Sequence, residues 1–486
     1  MTNYKTDQGN GKMTNYRWVI CVMLFFGVAI NYMDRQVLSL TWKDFIAPEF
    51  HWTNSHYGTI TSLFSIFYAL SMLFAGRFID WLDTKKGFLI AIGVWSLGAC
   101  LHAFCGIATS GILTGEWFVG FEKAKELIAS VDNIGKVINV SVALFVFARF
   151  VLALGESGNF PASIKATAEY FPKKDRAFST SIFNSGATIG ALIAPLTIPV
   201  IAHYYGWEMS FIIIGALGFI WMGFWVFVYK KPYANPKVNK AELDYIHQDN
   251  DHHTVDENGT VKRKLTFFEC FKYKQTWAFA FGKFMTDGVW WFYLFWTPAY
   301  LSSVYGLASD NNTAKLLIFV LYAITMLSIV GGWLPTYFVD KKGMNPYAGR
   351  MKSMLIFAFL PLLALLAQPL GNYSYWFPII IIGIAGAAHQ AWSANIFSTI
   401  GDMFPRTAIA TVTGIGGMAG GIGSYIINKG SGKLFDYAEI TQMKFMGFEG
   451  IKSGYFIIFS ICAVAYLIGW IVMKSLVPKY KPIVVE

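Results

Sequence analysis

The sequence predicts an all-α integral membrane protein of twelve transmembrane helices in two pseudo-symmetric six-helix halves, and three observations predict it. First, 55% of the 486 residues are hydrophobic and only 14% are charged, against roughly 25% charged in a soluble domain. Second, the apolar residues fall in repeated runs of about 20, the length that crosses roughly 30 Å of hydrocarbon as helix. A soluble enzyme, a disordered chain and a β-barrel are all disfavoured by that pattern. Third, the chain matches itself. At an offset of 233, Phe171-Pro172 meets Phe404-Pro405, Glu169 meets Asp402, and Ile189-Gly190 meets Ile422-Gly423. At an offset of 256, the stretch from Gly76 to Gly87, enclosing Lys85-Lys86, meets the stretch from Gly332 to Gly343, enclosing Lys341-Lys342.

In chain order, a tail over 1–17 precedes the first half, 18–229, whose spans read as 18–40, 56–75, 88–106, 141–168, 177–200 and 209–229. The first span is long for a removable signal peptide, lacks an Ala-x-Ala pattern and holds Asp34 and Arg35, so it is expected to stay in the mature chain. Residues 109–140 read as an outer insertion, where Glu122, Lys123, Lys125 and Glu126 suit a short surface helix. Residues 230–275 mix acids and bases with few aliphatics, as a solvated cytoplasmic linker does. Nothing near His247, His252 and His253 in that linker fixes a metal geometry, so no metal is expected. The second half, 276–475, has spans at 276–302, 314–338, 353–370, 374–400, 407–429 and 453–475, and 476–486 is a second tail.

About two thirds of the 39 Lys and Arg lie in alternate loops and the two termini, which places both termini in the cytoplasm and the protein in the inner membrane. Topology thus accounts for the net charge of +10, and nucleic acid is not an expected partner. The five cysteines show no CxxC or Cys/His spacing and read as packing residues. Two six-span units of the same orientation are expected to meet around a central cavity and to rock against each other, which argues for a carrier.

Asp34, Arg35, Arg149, Glu156, Lys165, Lys283, Asp287 and His389 lie inside spans, where a charge near the centre costs about 2.5–3.5 kcal/mol. Pairing or an aqueous cavity must compensate. Adjacent side chains on a helix diverge by about 100°, so Asp34 and Arg35 reach different partners. Arg149 and Glu156 share a face about 10.5 Å apart along the axis, with room for a substrate or another charge between them. Lys283 and Asp287, four apart, suit a direct pair. A carboxylate beside an arginine is a switch, because protonating it frees the arginine for an anion. His389 occupies the repeat position of Glu156, while Lys165 is placed to snorkel at a helix end. Gly155, Gly158 and Pro161 allow close packing and a bend. Asn159, Asn184, Ser185, Trp290, Trp291, Gln390, Trp392 and Asn395 suit a polar, aromatic-walled pocket for sugar-like ligands. Structural ion pairs and interface anchoring by tryptophan explain the same residues without a ligand.

Asn-Tyr-Met-Asp-Arg at 31–35, Gly-Glu-Ser-Gly-Asn-Phe-Pro at 155–161, Phe-Asn-Ser-Gly at 183–186 and the run from Lys283 and Asp287 through Trp290 to Trp296 resemble signature segments of the major facilitator superfamily, and within it the anion:cation symporters that carry hexuronates. The resemblance implies the major facilitator fold and proton-driven uptake of glucuronate or galacturonate, with no enzymatic activity and no cofactor beyond the coupling proton. It makes Asp34 and Glu156 the proton-coupling carboxylates, Arg35 the substrate-carboxylate ligand, Tyr32 a pocket residue, and Arg149 the partner of the span 4 acid. It makes Gly76, Arg77, Asp80, Lys85 and Lys86 a cytoplasmic gate. Thr336 stands where a second Asp80 would, so only the first half is expected to carry a full charged gate. The expected partners are a small sugar-acid anion and lipid, and the expected state is a monomer. The rivals are a carrier of another organic anion, such as an aldonate, tartrate or dicarboxylate, and a membrane sensor that moves nothing.

Overall fold

The computed structural model describes residues 12–248, 265–404 and 406–483. Twelve long helices dominate it. They are α1 (Arg17–Phe50), α2 (Asn54–Leu82), α3 (Thr84–Ala103), α4 (Ile134–Tyr170), α5 (Lys173–Tyr205) and α6 (Trp207–Val228), then α7 (Lys274–Tyr305), α8 (Asn312–Lys342), α9 (Pro346–Gly371), α10 (Trp376–Met403), α11 (Arg406–Ile440) and α12 (Ile451–Leu476). Ten are long and apolar enough to cross a membrane; α7, with Lys283 and Asp287 in its middle, and the glycine-rich α11 complete the set.

The helices outrun the spans read from hydropathy. α5 begins at Lys173 and α11 ends at Ile440, because hydropathy marks the hydrocarbon slab whereas backbone hydrogen bonding carries a helix beyond it. The largest difference is at 109–140. A short apolar helix, Cys105–Thr114, continues α3, and α4 already starts at Ile134, where Asn133 Oδ1 accepts from the Lys136 amide at 3.0 Å. Between them Phe121–Ala129 forms the expected surface helix. It is tied down by Lys125, whose ammonium lies 3.0 Å from Glu122 and 3.2 Å from Glu208. Burial pulls the Lys125 pKa down, but these carboxylates outweigh it and hold it above the ordinary lysine value.

The repeat is visible in the packing. In the first half α1 lies along α5, and in the second α7 lies along α11. The halves meet through α2 against α11 and α5 against α8, again a pseudo-equivalent pair. The linker departs from the solvated reading over its described part. Its helix Lys240–His247 places Glu242, fully buried, at the start of α1. There Glu242 accepts from the backbone amides of Tyr16 (2.9 Å) and Arg17 (3.0 Å) and from the Arg17 guanidinium (3.2 Å). A helix N-terminus has unpaired N–H groups and a positive dipole, so it captures a carboxylate from an otherwise polar segment. His252 and His253 lie outside the described residues, and no group of three His, Cys, Asp or Glu suited to a metal occurs among the described ones.

Candidate functional site

Arg35 projects from the middle of α1 and donates from Nε (3.0 Å) and Nη2 (2.7 Å) to Oε2 of Glu156. Both residues are buried. Glu156 reaches Arg35 because α4 breaks between Glu156 and Asn159 and lies hard against α3. A Cβ on Gly155 would fall 2.2 Å from the Trp95 amide nitrogen, so only glycine permits the approach. Four rings wall the guanidinium: Tyr68 at 4.8 Å, Trp291 at 5.0 Å, Tyr32 at 5.2 Å and Phe64 at 5.9 Å. Such contacts hold a cation that has left water. Trp291 comes from the second half, so Arg35 touches both halves.

Asp34 points elsewhere, as the divergence of neighbouring side chains requires. It is buried, and neither of its carboxylate oxygens is hydrogen-bonded among the described residues. Nε and Nη1 of the buried Arg149 are likewise without a hydrogen-bond partner among the described residues, and its guanidinium lies 5.1 Å from the Phe64 ring. The expected pairing of Arg149 with Glu156 is therefore corrected. Seven residues separate them by about 10.5 Å of helix, and Glu156, just before the break in α4, meets Arg35 of α1 instead. Asn159 is buried beside this bend with its amide unpaired among the described residues.

The second half contributes two clusters. Lys283 Nζ lies 2.7 Å from Asp287 Oδ2, as the four-residue spacing predicts, and 4.4 Å from the Phe397 ring. His389 Nδ1 lies 2.8 Å from the Tyr466 hydroxyl, and its ring stacks on Trp290 at 5.3 Å. Trp392 packs edge-on against Tyr466. Asn395 uses its amide to hold α10 to α8, donating at 2.8 Å to the carbonyls of Gly331 and Ala391. Gln390 is half-buried, and Asn184 is exposed on α5. Of the residues expected at the site, the structure brings Tyr32, Arg35, Glu156 and Trp291 together, sets His389 and Trp392 in a neighbouring cluster, and engages the Asn395 amide in helix packing. Phe64 and Tyr68 were missed. Their signal is the face Thr61, Phe64, Ser65, Tyr68, an i, i+3, i+4, i+7 stripe that mixes hydroxyl and aromatic groups.

On the side away from the termini the halves are closed. Trp42 stacks on Tyr57 at 4.1 Å, and Trp296 of the second half meets both edge-on at 6.0 and 5.0 Å. Beyond this plug, Asp436 of α11 accepts from Thr53 Oγ1 (2.6 Å) and the amides of Asn54 (2.9 Å) and Ser55 (2.7 Å) at the start of α2. Asp44 of α1 accepts from Ser302 Oγ (2.5 Å) and from the amide and hydroxyl of Ser309 (2.8 Å each). His203 and Asp310 join α5 to the start of α8 at 2.8 Å.

On the terminal side, Gly76 and the exposed Arg77 lie near the end of α2, Lys85 donates to the Val226 carbonyl at 2.7 Å, and Lys86 is exposed. The side chain of Asp80 lies outside the described residues. Lys165 donates to the Ile79 carbonyl at 3.1 Å. The second half carries a charged contact of its own despite Thr336: Arg350 donates to both oxygens of Asp402 at 2.7 and 3.3 Å. Glu169, the repeat partner of Asp402, accepts instead from Thr84 Oγ1 (2.6 Å) and the Tyr229 hydroxyl. An apolar groove lined by Trp18, Val22, Phe26, Leu217, Trp221 and Phe224 lies between α1 and α6, and it offers no charged group to a ligand.

The family model of the Major Facilitator Superfamily matches residues 24–427. The hexuronate transporter of Escherichia coli (strain K12) is 27% identical over 430 residues, covering 87% of this chain and 89% of that protein. The galacturonate transporter of Dickeya chrysanthemi is 24% identical, covering 72% and 90%. The probable galactarate/D-glucarate transporter GarP of E. coli (strain K12) is 23% identical, covering 85% and 87%. Among solved structures, an inward-facing, occupied bacterial homolog of the human lysosomal transporter Spinster superposes with a TM-score of 0.65 at 18% identity, covering 95% and 96%. A D-xylose-proton symporter superposes with a TM-score of 0.64 at 15% identity, covering 96% and 98%.

Proposed function

Because this chain belongs to the major facilitator superfamily, we propose that it is a proton-coupled symporter that imports a monoanionic sugar acid, an aldohexuronate such as glucuronate or galacturonate, by alternating access. The observation that carries the reading is the buried pair of Arg35 and Glu156, two charge-assisted bonds at the junction of the halves. A ligand carboxylate has the shape and charge to take Glu156's place on the guanidinium fork, and it can do so when Glu156 gives up its own charge. Proton and substrate therefore bind together. Asp34, with no hydrogen-bonded cation beside it, is the second proton carrier, and Arg149 balances whichever acid is ionised. Tyr32, Tyr68 and Trp291 supply faces for the sugar ring and hydroxyls. His389, reached through Trp290 on the same helix as Trp291, offers a polar wall on the second half.

With both termini cytoplasmic, the closed side faces outward, and the arrangement is the one that releases substrate inward. The relatives that are named for hexuronate and galacturonate support a sugar acid as the cargo. The test is uptake of labelled glucuronate and galacturonate into proteoliposomes with and without an imposed pH gradient. Accumulation driven by an acidic exterior and abolished by a protonophore is expected; binding without counterflow would instead indicate a sensor. Uptake indifferent to the gradient overturns the coupling.

A further inference from the structure

We propose that Asp287 sets the charge class of the substrate: by neutralising Lys283 it holds the site to monocarboxylic sugar acids, and its removal admits dicarboxylic ones. This rests on the sugar-acid reading above and extends it to specificity.

Lys283, Asp287 and Trp291 are spaced by four on α7 and therefore share one face of the helix. Trp291 is the ring at 5.0 Å from the Arg35 guanidinium. Asp287 lies one turn, about 5.4 Å, toward the terminal side, and the Lys283 ammonium is drawn up to it at 2.7 Å. A second cation thus stands about one helical turn from the ring that covers Arg35. A six-carbon acid held at Arg35 by one end can direct its other end there. In a hexuronate that end is an aldehyde or ring carbon, whereas in an aldarate it is a second carboxylate.

The Asp287 side chain keeps 14% exposure in the middle of its span. In the fold α7 packs on α1, α10, α11 and α12. Gly420 of α11 backs the carboxylate so closely that a Cβ there would fall 2.2 Å from Oδ2. The carboxylate is thereby held toward Lys283.

Charge balance decides between the two ligands. Arg35, Arg149 and Lys283 face Asp34, Glu156 and Asp287, so the ionised core is neutral. With Asp34 in the same state for either ligand, a monoanion arriving with the one proton that Glu156 takes keeps it neutral. A dianion arriving with one proton leaves a negative charge uncompensated in a low dielectric, which is heavily penalised. Replacing Asp287 with asparagine removes one negative charge, frees the Lys283 ammonium, and restores neutrality for the dianion.

The experiment is counterflow of labelled glucuronate in proteoliposomes of the full chain, with unlabelled D-glucuronate and D-glucarate as competitors. Wild type is expected to prefer glucuronate. Asp287→Asn is expected to raise the relative potency of glucarate at least tenfold, and Lys283→Met combined with Asp287→Asn to return it to the wild-type ratio. An unchanged ratio in Asp287→Asn, or a raised ratio that survives loss of Lys283, overturns the proposal. Should Asp287→Asn not yield folded protein, Lys283→Met alone reads the same balance from the other side: glucuronate potency is expected to fall at least tenfold, and unchanged potency overturns the proposal. Failure of wild type to exchange glucuronate at all would instead sink the sugar-acid reading.

Discussion

Replacing Glu156 with glutamine separates binding from coupling. In the wild type, Arg35 is held by two bonds to Oε2 at 3.0 and 2.7 Å. Both bonds pair two ions, toward the upper end of the about 1.5–3 kcal/mol of hydrogen bonds to charged groups, whereas a glutamine carbonyl leaves only the guanidinium charged and lies toward the lower end. A substrate carboxylate then displaces a partner weaker by about 1.5 kcal/mol, which is about tenfold in affinity. The sign of the pH effect follows from the same competition. On the proposed reading, acidification of the wild type is expected to protonate Glu156, weaken its claim on Arg35 and strengthen glucuronate binding. Glutamine mimics the protonated acid at every pH, so its binding curve loses this dependence. Calorimetric titration of glucuronate across the neutral pH range measures both effects, and proteoliposome uptake measures accumulation, which is expected to vanish while exchange persists. Accumulation that survives in Glu156→Gln with a normal pH dependence would falsify the coupling role, and weaker binding with an unaltered pH slope would remove Glu156 from competition for Arg35.

Arg35→Ala removes the guanidinium proposed to hold the substrate carboxylate, so glucuronate binding is expected to fall below detection in the same titration; unaltered affinity excludes Arg35 from the site. Gly155→Val sets a branched side chain against the Trp95 backbone, where even a Cβ has only 2.2 Å. It is expected to lower the Tm in detergent and abolish binding together, whereas retained binding would show that the bend is not what places Glu156. Asp436→Ala deletes three bonds to the start of α2, and a lost cap is worth about 1 kcal/mol. It is expected to shift the halves toward the outward-open state by about fivefold, read as faster labelling of a cysteine placed at Ser65 by a thiol reagent added from outside; unchanged labelling shows that the clasp does not control the gate.

How far the site was legible depended on contrast. Asp34, Arg35 and Glu156 stand out because a charge in an apolar run is costly and must be compensated by a partner or a cavity. Which partner each takes does not, because Glu156's choice of Arg35 over Arg149 is made by a bend that depends on how closely Gly155 approaches α3. Lys283 and Asp287 were legible as a pair, since spacing of four is local information. Phe64 and Tyr68 were hidden by composition: in a chain with 25 Tyr and 43 Phe, one more ring carries little signal until its face is mapped. Glu242 was hidden for the opposite reason, as one acid among many in a charged linker. Its burial is decided by a helix end more than 200 residues away in the chain. The repeat at 233 did align Glu169 with Asp402, yet only the fold shows one bound to Thr84 and Tyr229 and the other to Arg350.

On the proposed reading, the contrast between the closed side and the centre makes cargo necessary for the cycle. The clasps at Asp44, Asp436 and His203 lie at half-exposed or exposed helix ends, where water substitutes for each lost bond and the net value is about 0.5–1.5 kcal/mol, less for exposed ion pairs. Parting them is therefore cheap and reversible. The pair of Arg35 and Glu156 is different, since its members are buried and breaking it with nothing to replace Glu156 strands a charge at a cost of about 3–5 kcal/mol. Trp291 of the second half lies on that same guanidinium, so the movement of one half past the other is felt at Arg35. A carboxylate arriving with a proton keeps Arg35 paired through the movement, whereas a proton alone leaves the guanidinium uncompensated and a carboxylate alone meets an ionised Glu156. The proposed coupling would thus rest on which combinations leave no stranded charge while the contacts on the closed side open and close.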